Sequence, residues 1–242
     1  MSGTEDLAGA LQVLEHCLSG EVPVANAIAH FTHIHRSNPR VVLAALSEKV
    51  NTVVANADTG PSVSRAGALI VNIADALDKA ADGGGPQKKA VSRALLDHVL
   101  LLTGGQARAA KDKAIRAQGC AMVAALVPAA PTHEGAEAKL VEFALDKVPS
   151  IREKAVRGLA AMSGSIKAEH ALMGCATDPF AAVRASAVFG LPVSRRTAPA
   201  LLERIDDVEA CVRAQLFHRL AERPEAIETF GPAALARLVA GL

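Results

Sequence analysis

Apolar residues return at three- and four-residue steps along almost the whole chain, the period of a helix that buries one face. Between Glu5 and Leu18 they are Leu7, Leu11, Leu14 and Leu18, and Gly20 ends the run. Pro23 opens a second helix to about His35 with Ala27, Ile28, Phe31 and Ile34 inward, and Asn38-Pro39 breaks it. Val42, Leu46, Val50 and Val53 mark a third that stops near Asp58–Pro61. Val63, Ala66, Ile70, Ile73 and Leu77 mark a fourth over Ser62–Ala81. Asp82-Gly-Gly-Gly-Pro86 reads as a flexible linker that connects two helices without separating two domains. Beyond it the pattern predicts helices over Gln87–Thr103 and Gln106–Leu126, on either side of Gly104-Gly105. Pro128–Pro131 breaks the chain, and helix pairs follow. Ala136–Leu145 precedes a helix starting at Pro149, Ile166–Ala176 precedes Phe180–Leu191, and Thr197–Ile205 precedes Ala210–Glu222. Pro232–Leu242 is a last apolar helix with no polar outer face. Solenoids normally end in polar capping repeats, so the stack is expected to continue or to be covered by a partner.

The second helix of each pair opens on one phrase. Asp146-Lys-Val-Pro-Ser-Ile-Arg152, Asp178-Pro-Phe-Ala-Ala-Val-Arg184 and Asp207-Val-Glu-Ala-Cys-Val-Arg213 each carry an acid, an aliphatic residue five positions on, and then an arginine. Apolar residues follow at fixed offsets: Ala155, Val156 and Leu159; Ala187, Val188 and Leu191; Leu216, Phe217 and Leu220. The arginines are about 32 and then about 29 residues apart, a period that signals stacked repeats. Ile115-Arg116 with Gly119, Cys120 and Val123 is a degenerate earlier copy, with Ala110 where the acid would stand. An aspartate just before a helix accepts from its free N–H groups, and proline at Pro149 or Pro179 is tolerated in a first turn. Each arginine emerges beside the buried aliphatic residue. There it can bridge to the aspartate of the adjacent repeat, or face a ligand on a concave surface.

Composition agrees with an all-α chain. Half the residues are apolar, Trp and Tyr are absent, and only 2% are aromatic, where a sheet protein would want aromatic and β-branched residues. The formal net charge is +1, but its distribution is uneven. Residues 83–167 carry about 13 basic and 7 acidic side chains, while the flanks are mildly acidic. Cys17, Cys120, Cys175 and Cys211 are widely spaced, without a C-x-x-C pair, and read as reduced intracellular thiols, with Cys120 and Cys211 among core-type residues. There is no charged n-region followed by an apolar h-region, and Leu95–Leu102 is far too short to span a membrane.

Tandem helix pairs with D-x-x-P-x-V-R opening the second helix are the HEAT pattern. Leu145-Asp-Lys-Val-Pro-Ser-Ile-Arg-Glu-Lys-Ala-Val-Arg-Gly-Leu159, Thr177-Asp-Pro-Phe-Ala-Ala-Val-Arg184 and Pro199-Ala-Leu-Leu-Glu-Arg-Ile-Asp-Asp-Val-Glu-Ala-Cys-Val-Arg213 resemble the G-type HEAT subunit of condensin. The likeness is good over about residues 110–242 and loose over 24–110. It implies an all-α HEAT-repeat solenoid, a superhelix of antiparallel helix pairs. Residues 1–242 would form one arm, with irregular helices over 1–82 and regular pairs over 83–242. It further implies a non-catalytic subunit of the nucleus and chromosome, with a cytoplasmic pool. Such a subunit binds the kleisin subunit and duplex DNA in mitotic chromosome condensation, and leaves ATP hydrolysis to the SMC subunits. Members of that family are several times longer, so the sequence resembles their N-terminal arm.

The candidate DNA contacts are Lys88, Lys89, Arg93, Arg108, Lys111, Lys113 and Arg116, joined by Arg152, Lys154 and Arg157. Cations of this kind neutralise phosphates without reading sequence. The competing reading is an ordinary solvated face. The candidate ladder residues are Asp146, Arg152, Asp178, Arg184, Asp207 and Arg213. His30, His33 and His35 form H-x-x-H-x-H, but only the first two share a helix face and no further ligand completes a set, so no metal is expected. No P-loop, nucleophile elbow or paired catalytic acids are present, so no cofactor, small-molecule substrate or catalysis is expected. The alternatives are a generic HEAT scaffold that binds only protein and, less favoured for want of acid/base groups, a HEAT-based bilin lyase.

Overall fold

The computed structural model of the chain describes residues 3–55, 60–81, 89–104, 112–162, 164–227 and 230–240. Among them every regular element is a helix. The chain divides into two compact units, residues 1–130 and 131–242.

The first unit contains α1 (Gly3–Ser19), α2 (Val24–Ser37), α3 (Pro39–Ala55), α4 (Pro61–Ala80), α5 (Ala90–Gly104) and α6 (Lys113–Leu126), closed by a 3-10 turn over Val127–Ala129. Alternate helices lie side by side: α1 packs on α3 and α3 on α5, while α2 packs on α4. Consecutive helices close the two layers on one another, and the core lies between them. Phe31, Leu46, Ile70, Leu77 and Leu95 are among its fully buried side chains. The glycine linker over 82–86 lies outside the described residues. The helices that flank it, α4 and α5, pack together in the same unit.

The first turn of α5 is held from α4. Asp78 is buried, and its carboxylate accepts from Val91 N at 2.9 Å and from Ser92 N at 3.1 Å. A buried acid thereby satisfies two donors that a helix start leaves open. Asp78→Ala is expected to lower stability by about 1–2 kcal/mol, the usual cost of a lost cap. Chemical denaturation followed by far-UV circular dichroism checks this, since the chain has no Trp or Tyr to report by fluorescence.

The helix expected over Gln106–Leu126 begins, within the described residues, at Lys113. Asp112 is its N-cap and accepts from Ala114 N at 2.8 Å and Ile115 N at 3.4 Å. The degenerate copy thus keeps an acid at its head, four residues before Arg116 instead of six. Helix α6 also approaches α5 closely: a Cβ on Gly119 would lie 2.3 Å from Thr103 Cγ2. That contact explains glycine where the later copies have Ala155, Ala187 and Leu216.

The second unit contains α7 (Glu134–Ala144), α8 (Pro149–Ala160), α9 (Ile166–Cys175), α10 (Ala181–Gly190), α11 (Ala198–Leu202), α12 (Ala210–Ala221), α13 (Pro224–Ile227) and α14 (Pro232–Ala240). Here α8, α10 and α12, the helices opened by the repeated phrase, pack in series. Helices α7 and α9 lie against them as a second layer, and α14 rests on α11. The aliphatic residues before the arginines, Ile151, Val183 and Val212, are fully buried, as are Ala155, Ala187 and Leu216 one turn on. Gly190 allows α10 to approach α8, because a Cβ there would lie 2.7 Å from Ala160 Cβ.

Some expectations are corrected. Cys120 is buried but Cys211 is exposed, because its position two residues before Arg213 turns it away from the core. Phe217 is only half-buried, with Leu216 and Leu220 carrying the inward face of α12. Pro179 stands in the turn before α10 and not in the helix, whereas Pro149 is the first residue of α8. The terminal helix Pro232–Ala240 buries Leu238 and exposes Val239.

Candidate functional site

The loops that open α8, α10 and α12 share one construction. Each aspartate accepts from the backbone N–H two residues on: Asp146 from Val148 at 2.8 Å, Asp178 from Phe180 at 2.8 Å, and Asp207 from Glu209 at 3.0 Å. Those three residues are themselves the N-caps, and none of them caps through its side chain. The aspartates therefore fold the entry turn and do not cap the helix N–H groups as the sequence suggested. An acid two residues upstream of the boundary forms the compact Asx turn more readily than it reaches into the first helical turn.

Each arginine is held by its own loop and points beyond it. Arg152 Nη1 donates to Asp146 O at 2.8 Å, and Arg184 Nη1 donates to Asp178 O at 2.8 Å and Pro179 O at 3.2 Å. The remaining edge of the guanidinium grips the aspartate of the following repeat in a two-pronged pair. Arg152 Nε and Nη2 lie 2.7 and 2.8 Å from the Asp178 carboxylate. For Arg184 and Asp207 both distances are 2.8 Å. This second pair is nearly dry, with side-chain exposures of 9% and 2%. The Arg152 guanidinium also lies 5.5 Å from the centre of the Phe180 ring.

The electrostatics follow from this geometry. The Arg184 hydrogen bond is the main cause holding the Asp207 carboxyl below the ordinary range, overcoming the opposing effect of burial, with help from the Glu209 N–H and the charges of Arg184 and Arg204. For Asp178 burial is the largest single influence and pushes upward. It is outweighed by the Arg152 hydrogen bond, the Phe180 N–H and the two arginine charges, so the net direction is again down. Both arginines are raised above their ordinary value, first of all by these hydrogen bonds. Burial and the nearby Asp178 charge push the Cys175 thiol up to about 11, which leaves it a poor nucleophile.

Arg213 sits differently. Its Nη1 donates to Asp207 O at 2.5 Å and Val208 O at 3.3 Å, the same anchoring as in Arg184, yet Nε and Nη2 meet no carboxylate among the described residues. Neighbouring Arg204 reaches Asp207 at 3.4 Å and Glu203 at 3.3 Å.

The cationic candidates fall in both units. In the first, Lys89 and Arg93 are exposed at the start of α5, and Lys113 is exposed at the start of α6. Arg116, one turn further on, is half-buried and engaged. Lys89 Nζ donates to Pro128 O at 3.3 Å, beyond the far end of α6. The two sets thus occupy opposite ends of the α5–α6 pair, about 20 Å apart at 1.5 Å per residue. Lys88, Arg108 and Lys111 lie outside the described residues. In the second unit Lys154 is half-buried and Arg157 pairs with Glu153 at 2.7 Å. Arg152 has its fork filled by Asp178.

An open cleft of about 670 Å³ adjoins the first phrase, walled by Leu145, Ala171 and Cys175 and rimmed by Lys147 and His170. Leu145 is 82% exposed on it, and no periodic signal distinguishes these residues in the sequence. Among the described residues no three His, Cys, Asp or Glu side chains are grouped to hold a metal ion. None of the described helices is long and apolar enough to cross a membrane.

No protein-family model matches the chain, and no curated protein matches it. Among solved structures, the chain superposes on the S. pombe condensin Cnd3-Cnd2 subcomplex with a TM-score of 0.69 at 17% identity, over 96% of its own length and 32% of that chain. It therefore spans about a third of the length of the chain it matches. Two engineered proteins give TM-scores of only 0.46 and 0.40, at 16% and 15% identity. They cover 90% and 100% of this chain, and 97% and 79% of theirs. The fold is an all-α HEAT-repeat solenoid.

Proposed function

We propose that the chain is a non-catalytic HEAT scaffold of a condensin-like SMC complex, acting on chromosomes in the nucleus. In this reading it binds a kleisin-type subunit and duplex DNA, and meets the SMC subunits only indirectly. The observation that supports the proposal is the superposition of nearly the whole chain on part of a condensin subcomplex, at a TM-score of 0.69. The condensin-like wording of Arg204–Arg213 supports it from the sequence side.

DNA is held through its phosphates. Lys89, Arg93 and Lys113 present exposed cations at the two ends of the α5–α6 pair, a spread that reaches phosphates several base pairs apart along a duplex and carries no base readout. Lys88, Arg108 and Lys111 belong to the same stretch of sequence, with Arg116 following. In the second unit Lys154 and Arg157 are separate candidates, while Arg152 is assigned to the inter-repeat pair because its fork is already occupied.

Two measurements test the reading. Log affinity for a duplex is expected to fall linearly with log salt, by about 0.9 per phosphate neutralised. Reversing Lys88, Lys89, Lys111 and Lys113 to Glu should weaken binding by about a hundredfold at moderate salt. A salt-independent affinity, or no loss on charge reversal, would sink the DNA component. Co-purification with a kleisin fragment tests the other partner. The second reading, a scaffold for protein alone, is favoured by the internal pairing of Arg152 and Arg157, and binding of a peptide without DNA would establish it.

A further inference from the structure

We infer that Arg213 is an open carboxylate-binding site that docks an aspartate-headed helix of a partner protein. The two preceding arginines define what such a site holds. In Arg152 and Arg184, Nη1 is pinned by the backbone carbonyls of the entry loop, and the Nε/Nη2 edge is thereby aimed at a carboxylate. Both times the carboxylate belongs to an aspartate that folds an Asx turn at the head of a helix. Arg213 repeats the first half of this arrangement and lacks the second. Its Nη1 is pinned by Asp207 O and Val208 O, and its outer edge has no partner among the described residues.

At the spacing of the filled pairs the sequence supplies no acid. The filled pairs join residues 26 and 23 positions apart. The same steps from Arg213 lead to residues 236–239, which are Ala236, Arg237, Leu238 and Val239. The chemistry of the missing ligand is therefore set by the two occupied copies: a carboxylate, met by two parallel charge-assisted hydrogen bonds. Its setting is a helix start with the aspartate two residues before the N-cap. An apolar or aromatic residue at that cap would have a guanidinium to lie against, as Phe180 has Arg152. Exposed Val208, 86% accessible in the loop that anchors Arg213, offers an apolar contact beside the fork. The site is independent of the DNA reading, because it selects a planar carboxylate by geometry and uses none of the exposed lysines.

The test uses the full chain labelled with ¹⁵N and, as probe, a lactam-bridged helical peptide of the Thr177–Gly190 sequence, the chain's own aspartate-headed helix. The arginine Nε–Hε signal of Arg213 is expected to shift saturably, with a dissociation constant on the order of 0.1–1 mM. An Asp178→Asn version of the peptide should bind about tenfold more weakly or worse, as should the Arg213→Gln protein. Arg213→Lys should also fail, since a single ammonium cannot reproduce the fork. The inference is overturned by the absence of a saturable shift at millimolar peptide, or by equal binding of the Asn peptide. An Arg213 signal that answers to a short DNA duplex and not to the peptide would assign the fork to phosphate, and overturns it equally.

Discussion

Asp207→Ala is expected to destabilise the second unit by about 3–5 kcal/mol, the cost of leaving a buried guanidinium without its counter-charge. Asp207 and Arg184 are 2% and 9% exposed at their side chains, so water cannot replace the lost partner. The substitution also removes the acceptor of the Glu209 N–H and one contact of Arg204. Replacing both members by apolar residues, Arg184→Met with Asp207→Leu, should cost much less than either single change if the penalty comes from desolvating one unpaired charge. A double variant as unstable as the singles would refute that account. The acid response gives a second check. The folded Asp207 and Asp178 carboxyls lie below their unfolded value of about 3.9, so their contribution is complete above that pH and is lost as pH falls through the folded values. The difference in stability between the wild type and Asp207→Ala is thus expected to be constant above about pH 5 and to shrink below about pH 4. Urea unfolding followed by circular dichroism at several pH values measures it.

Ile151→Ala is expected to cost about 2–5 kcal/mol, the range for emptying a fully buried branched aliphatic site. Ile151 has no accessible surface and lies in the first turn of α8, a helix that packs against α10. Leu145→Ala, six residues upstream at 82% exposure, is the control and should stay within about 0.5 kcal/mol. Equal loss for the two would mean that the inward phase of α8 has been misread. The same unfolding experiment decides it.

The two expected effects mark the boundary of what could be read without coordinates. Ile151, Val183 and Val212 were legible because a helix that buries one face must repeat its apolar residues every three or four positions. All three are buried. The same local rule gave helix order, all-α character and the division of the later chain into pairs. It failed where one step of phase mattered, as at Cys211, and where a turn competed with a cap, as at Asp146, Asp178 and Asp207. The site was less legible. Sequence offered acids and arginines at matching offsets, and cations bunched between Lys88 and Arg157. It did not say that Lys89 and Lys113 stand at opposite ends of one helix pair, which follows from the chain reversing between α5 and α6.

The sequence by itself determined the helices, their inward faces and the repeat, since these depend on spacings within one or two turns. Only the tertiary structure decided which charge meets which. Arg152 grips the carboxylate of Asp178 from the next repeat, Asp78 holds the start of α5, and Arg213 meets no carboxylate among the described residues. The physical reason is that such pairings depend on the register between helices 13 to 26 residues apart. That register is fixed by close contacts such as Gly119 on Thr103 and Gly190 on Ala160, where the presence or absence of one methyl group sets the distance.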